Sequence, residues 1–417
     1  RHEQAQLLGF STYAERSLAT KMAETPDQVM GFLRDLASRS LKLAQNDLEE
    51  VRAFAAEQGL DDLHAWDITY YSEKLRQKKF DISQEQLKPY FPEQKVVDGL
   101  FEVVQRLYGL QIREVTDVPT WHEDVRFFEI YDNEDIRRGA FYLDLYARAN
   151  KRGGAWMDEC IRRRKLPDGT VQNPVAYLTC NFSPPVGDTP ALFTHDEVLT
   201  LFHEFGHGLH HMLTQVDYAD VSGINGVPWD AVELPSQFME NWCWDKEALG
   251  LISGHYETGE PLPEALFQRM LDARNFQSGM QMVRQLEFSM FDFRVHHEYD
   301  PQKGARIQQI LDEVREEVAV IHPPEYNRFQ HGFGHIFAGG YAAGYYSYKW
   351  AEVLSSDAFS RFEEEGIFNR ETGVAFLEAI LEQGGARDPM DLFVEFRGRK
   401  PEIDALLRHS GIAEATA

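Results

Sequence analysis

The chain has 417 residues, 43% of them hydrophobic, enough to build one large core or two ordinary ones. Its 68 acidic against 42 basic side chains give a formal charge of −26, which argues against nucleic acid and anionic membrane surfaces as partners. Three cysteines with no C-x-x-C pair argue against a disulfide framework and fit a reducing compartment, while no apolar run is long enough for a transmembrane helix.

Taken in order, residues 3–22 read as a helix. The sequence opens inside that pattern at Arg1, without Met or a signal peptide, so a preceding segment is expected. Thr25-Pro26-Asp27 starts a second helix, whose apolar positions run from Phe32 through Leu36, Leu48 and Phe54 to a stop at Gly59. Asp67 to Lys79 is a third, and Val96 to Tyr108 a fourth, closed by Gly109. The texture then changes. Val125–Tyr131, Ala140–Tyr146 and Ala176–Phe182 read as strands, with loops at Lys151-Arg152-Gly153-Gly154 and Leu166-Pro167-Asp168-Gly169 between them. They predict a small sheet, antiparallel in part.

A helix opens next, with Thr194 and Glu197 spaced as a capping box and Val198, Leu201, Phe202, Phe205 and Leu209 at helical intervals. A loop over Ser222–Trp229 leads to a helix from Asp230 to about Leu251. A long helix from Pro263 to about Tyr299 follows, and residues 304–320 are helical. Residues 328–340, rich in glycine and alanine, read as a mobile loop. Tyr341 to about Phe362 is again helix, and two more helices, split by Gly384-Gly385, finish the chain. With no repeat and no linker, the expectation is one mainly α body: a helical part (1–115), a small sheet (120–185) and a second helical part (190–417).

The chemistry concentrates in His203-Glu204-Phe205-Gly206-His207, which reads H-E-x-x-H. Residues four apart share a helix face, so both imidazoles can reach one zinc ion, with Glu204 beside them as a general base. A catalytic zinc needs a third protein ligand. Leu213 stands where a metzincin would carry its third His, so that pattern fails. His210 is about 10.5 Å along the axis from His203, too far to share an ion also held by His207. Glu233, in Asp230-Ala231-Val232-Glu233-Leu234, is the remaining candidate; a helix-terminal charge would look the same. Glu240 is either a carboxylate that steadies a ligand His or a surface acid. Phe238-Met239-Glu240-Asn241 contains the M-E-N of aminopeptidases, but it follows the H-E-x-x-H here instead of preceding it.

The run H-E-F-G-H-G-L-H, followed by V-S-G-I-N-G-V-P-W-D-A-V-E-L-P-S-Q-F-M-E-N-W, resembles the thimet oligopeptidase family of zinc peptidases. A second run, from His331-Gly332-Phe333-Gly334-His335 to Tyr345-Tyr346-Ser347-Tyr348, is similar to that family's other signature. The resemblance covers essentially the whole chain. It implies a large helical zincin-type body with one small sheet beside the zinc-binding helix, and one zinc ion on His203, His207 and Glu233. It implies that Glu204 activates the water that attacks a short peptide, that Tyr348 and Tyr341 stabilise the tetrahedral intermediate, and that His335 and Tyr345 hold the substrate. Tyr341, Tyr345 and Tyr348 also have the spacing of a core-packed helix face, so spacing alone does not separate the two roles. A cytoplasmic endopeptidase is the implied activity; a carboxydipeptidase of the same family and a non-catalytic zinc- or peptide-binding fragment are the alternatives. The resemblance further implies that the chain begins after most of the family's N-terminal helical region, so that region or a partner chain would supply the facing channel wall.

Overall fold

The computed structural model describes residues 1–412. The first expected helix is two, α1 (His2–Leu7) and α2 (Tyr13–Leu18). Thr12 accepts a hydrogen bond from the Glu15 N–H and so starts α2 afresh. α3 (Pro26–Glu57) is a single helix of 32 residues, capped by Thr25 with Pro26 in its first turn. Its buried positions, Val29, Leu33, Leu36, Ala44, Leu48 and Val51 among them, fall at intervals of three, four and their multiples. α4 (Ile68–Phe80) and α6 (Glu93–Tyr108) match the expected third and fourth helices, and Gly109 closes α6 in the left-handed conformation (φ 77°). The short α5 (Gln84–Leu87), with its Ser83–Gln86 capping box, was not anticipated.

The sheet has five strands where three were expected: β1 (Gln111–Glu114), β2 (Arg126–Tyr131), β3 (Arg137–Tyr146), β4 (Trp156–Ile161) and, after a two-residue hairpin pair β5 (Arg164–Lys165) and β6 (Val171–Gln172), β7 (Val175–Phe182). Their order is β1-β2-β3-β7-β4; β3 and β7 run parallel and the other neighbours antiparallel. The two unanticipated strands are the edges, whose polar and charged side chains hide the alternation that marks a strand. One face, with Phe128, Ile130, Phe141, Leu143 and Leu178, packs into the main core with α6 and α7 (His195–Met212). This is the small sheet beside the H-E-x-x-H helix that the family resemblance implied.

The helices beyond it are more broken than expected. Asp230 to Leu251 is not one helix: α8 (Leu234–Glu240) passes through a 3₁₀ turn (Asn241–Trp244), and Asp245 caps a new start at α9 (Lys246–Ile252). The long helix from Pro263 is α10 (Glu264–Arg274) and α11 (Ser278–His297), parted at Gln277, whose φ is +59°. α12 (Ile307–Val318) agrees with the expectation. Residues 328–340, read as loop, contain a 3₁₀ turn (Phe329–Gly332) and the single-turn α13 (Gly334–Phe337), anchored by buried Phe333 and Ile336. Ala342 to Tyr346 are turns, and helix α14 (Ser347–Glu365) begins only after them. Three helices follow instead of two: α15 (Arg370–Phe376), which runs into a π turn, α16 (Pro389–Arg397) and α17 (Asp404–His409).

Two large cores result. One joins the sheet to α6, α7, α8 and α9; the other joins α2 and α3 to α11, α12 and the tyrosine-rich segment, and Trp350 of α14 packs against both. Among the described residues, no helix is long and apolar enough to cross a membrane.

Candidate metal centre

α7 starts where the capping box predicts, with Thr194 accepting from the Glu197 N–H and Glu197 accepting in return from the Thr194 N–H. Its apolar face buries Val198, Leu201, Phe202, Phe205 and Leu209. That leaves His203 and His207 on a common side, ring centroids 5.0 Å apart. α8 then lies directly across α7. Gly206 permits this: a Cβ there would fall 2.4 Å from the Pro235 carbonyl oxygen and 2.6 Å from the Ser236 Cα. The close approach brings Glu233, at the head of α8, to the two histidines.

Glu233 Oε2 stands 3.3 Å from His203 Nε2 and 3.1 Å from His207 Nε2, and the three ligand atoms lie within 4.8 Å of one another. Ligands bound tetrahedrally at 2.0–2.2 Å from one ion stand roughly 3.3–3.5 Å apart, so the donors are set close to the spacing zinc needs. Two imidazoles and one carboxylate are also a common catalytic zinc set, with a fourth position left for water. The other sides of these ligands are held too. His203 Nδ1 donates to Glu240 Oε1 at 2.7 Å, which makes Glu240 the steadying carboxylate and not a free surface acid. Ser236 Oγ donates to Glu233 Oε2 at 3.0 Å. His207 Nδ1 is buried with no partner among the described residues.

The electrostatics follow from burial and these contacts. Burial opposes the charge on Glu233, but the two imidazoles outweigh it and hold the carboxyl well below its usual range. Burial likewise opposes charge on His203, yet Glu233 and Glu240 push it up to about 10. Glu204 behaves in the opposite way. It is 6% exposed, and burial raises its pKa despite the pull of His203 and His207. A carboxylate lifted toward neutrality is a better proton acceptor for water than an ordinary one.

A cavity of about 560 Å³ opens on this cluster, lined by His203, Glu204, His207, Glu233, Tyr341 and Tyr348. Six of the eight sequence-derived candidates therefore meet. Tyr341 Oη donates to Glu233 Oε1 at 3.3 Å, and its ring stacks on that of Tyr348 with centroids 4.9 Å apart. Burial raises both phenols, Tyr348 to about 12 and Tyr341 further, so each keeps its proton at neutral pH. The other two stand back. Tyr345 is buried and donates to Gln285 Oε1 at 3.0 Å, and His335 is exposed with its ring 5.9 Å from that of Tyr341. The proximity of Tyr341 and Tyr348 comes from a turn and not from the helix face that their spacing suggested.

The same cavity is bordered by residues that the sequence did not single out: Trp156 and Met157 of β4, Asn225, and Trp229, whose ring lies 5.0 Å from that of Tyr341. The strand was unread because it is a polar edge. Trp229 sits four residues before Glu233 in the very run that carries the resemblance, which was the available signal.

His210 has no part in the cluster. It is buried further along α7, about two turns beyond His203, and desolvation pushes its pKa down to about 3. Glu233→Ala is therefore expected to release the metal and His210→Ala to retain it. Metal content of the two purified variants decides; a metal-free His210→Ala would show that the third ligand has been misassigned.

The site is thus a cluster of two histidines and one carboxylate able to hold a metal ion, with an adjacent buried carboxylate, carried on a mainly helical frame. The family model described as Peptidase family M3 matches residues 1–412, and the chain belongs to that family. It is 64% identical over 413 residues to "Oligopeptidase A" of Salmonella typhimurium, covering 99% of this chain and 61% of that protein. It is 38% identical to "Dipeptidyl carboxypeptidase" of Escherichia coli, covering 99% and 60%. The chain spans about three fifths of the length of these curated relatives. Among solved structures, a putative oligoendopeptidase F from Bacillus anthracis superposes with a TM-score of 0.51 at 14% identity, over 99% of this chain and 60% of that one, a likeness of fold. The family resemblance read from the two signatures is borne out.

Proposed function

We propose that the chain carries the catalytic centre of a zinc-dependent endopeptidase acting on short peptides in the cytoplasm. The observation that carries this reading is the convergence of His203, His207 and Glu233 in one cavity with Glu204 and two protonated phenols. Zinc, when bound, supplies Lewis acidity toward the attacking water and the scissile carbonyl. Glu204 takes the proton of that water and delivers it to the leaving amine. Tyr348 and Tyr341 donate hydrogen bonds to the carbonyl oxygen as it gains charge. The edge strand β4 borders the cavity, and an extended peptide can add to it as a further strand. His335 and Tyr345 support the substrate side from behind Tyr341.

A peptide blocked at both ends tests this directly. Zinc-dependent internal cleavage supports the endopeptidase. Release of dipeptides only from a free C-terminus would instead support the carboxydipeptidase reading, which the 38% identical relative keeps in view. No cleavage at full zinc occupancy would leave a binding fragment.

Tyr348→Phe separates the role of that phenol from packing. The carbonyl oxygen is fully charged only in the transition state, so the lost donor should lower kcat by roughly 10²-fold and leave KM within about threefold. The retained ring keeps its stack on Tyr341, so the melting temperature should hold. A parental kcat would remove Tyr348 from the mechanism.

A further inference from the structure

The segment that bears the phenols is held in an unusual way. Ala343 has a φ of +49°, the left-handed region that an L-residue enters only against a steric cost. Asp292, on α11 and fully buried, supplies the compensation. Its Oδ1 accepts the N–H of Ala343 and its Oδ2 those of Gly344 and Tyr345, each at 2.9 Å. Successive N–H groups around such a turn form a concave anion site, and here a carboxylate of the chain itself fills it. His296 stands beside it, its Nδ1 bonded to the Asp292 main-chain carbonyl at 2.7 Å and 3.0 Å from Asp292 Oδ1.

A second fully buried carboxylate grips the same segment from the metal side. Asp230, three residues before Glu233, accepts from Tyr346 Oη at 2.8 Å and from the N–H groups of Met22 and Ala23 at 2.8 and 3.0 Å. Ser17 of α2 completes the clamp, donating toward the carbonyls of Ala342 and Ala343 at 3.1 and 2.9 Å. Two buried carboxylates are a costly way to hold one turn, and apolar packing would serve folding alone. What they add is a fixed direction for the backbone between Tyr341 and Tyr348.

We infer that Asp292, together with Asp230, is a positioning residue for the site phenols. The Asp292 nest sets where Tyr341 and Tyr348 stand relative to Glu233, and the Asp230–Tyr346 bond ties that setting to the loop that presents Glu233. The inference rests on the function proposed above, and its test is built to fail separately.

The test is steady-state kinetics on one blocked peptide, with zinc content and melting temperature as controls. Asp292→Asn keeps the size of the side chain but turns an amide nitrogen toward a ring of donors. It should lower kcat by about tenfold or more with KM within about threefold. Because Asp292 acts through the phenols, its effect and that of Tyr348→Phe should not multiply, so the double variant should be about as slow as the slower single one. Parental kcat in Asp292→Asn, or losses that multiply, would overturn the inference. Should Asp292→Asn fail to fold, Tyr346→Phe decides. It removes only the hydroxyl held by Asp230 and should lower kcat severalfold in the same non-multiplying way, whereas a parental kcat there overturns the inference. A parental kcat in Tyr348→Phe would remove the phenol reading and this inference with it. A slow Tyr348→Phe beside a parental Asp292→Asn would remove this inference alone.

Discussion

Glu204→Gln is expected to lower peptide hydrolysis by roughly 10²–10⁴-fold while zinc stays bound. Gln has the shape of Glu, so the helix face that carries His203 and His207 is undisturbed. It cannot take a proton from water, and that is the one task assigned to Glu204. Stability should move the other way. Burial raises the pKa of Glu204 in the folded protein, so its protonated form is the one that favours folding. That contribution is present at low pH and is lost as pH rises through the folded pKa. Above that pKa the ionised carboxylate therefore opposes folding, and neutral Gln relieves it. The melting temperature of Glu204→Gln should equal or exceed that of the parent. Activity within about tenfold of the parent at full metal occupancy would remove Glu204 as the base.

Gly206→Ala is expected to be among the most destabilising single-methyl changes in the chain. Two effects compete. Ala is the better helix former by about 1 kcal/mol, and on that ground alone α7 should gain. Against this, the new Cβ would meet the backbone of α8, 2.4 Å from the Pro235 oxygen and 2.6 Å from the Ser236 Cα. Backbone cannot swing aside as a flexible side chain can, so the helices must part, at a cost of about 3 kcal/mol. The packing effect wins. Because Glu233 sits at the head of α8, the same shift should pull it from the histidines and weaken zinc binding. Thermal unfolding and a zinc titration of the one variant check both parts. A parental melting temperature with parental zinc affinity would mean that α7 and α8 do not pack this closely.

The competition at Gly206 shows what can be read from a sequence and what cannot. Propensity is written in the residue, but the neighbour that overrules it lies 29 positions on, at Pro235. The same holds for the two tyrosines. Their spacing suggested one helix face, whereas the chain turns at Ala343 and reaches nearly the same juxtaposition by another route. The edge strands β1 and β4 were missed because edge positions face water and carry charge. Asp292 left one local trace, a carboxylate between Phe291 and Phe293 on a buried stretch of helix, but nothing nearby shows which backbone it serves.

What the sequence determined by itself lies within a turn or two of helix: the Thr194–Glu197 cap, the common face of His203 and His207, Glu204 beside them, and the long uniform helices α3 and α6. These depend on periodicity and on hydrogen bonds between near neighbours, which are set by residue order alone. The tertiary structure decided the rest: Glu233 beside the two histidines, Glu240 behind His203, the two phenols over the cluster, and the buried carboxylates bonded to their segment. Each of these joins residues 30 to 200 or so apart in the chain, and only the packing of one helix on another brings them within reach of a hydrogen bond or a common ion.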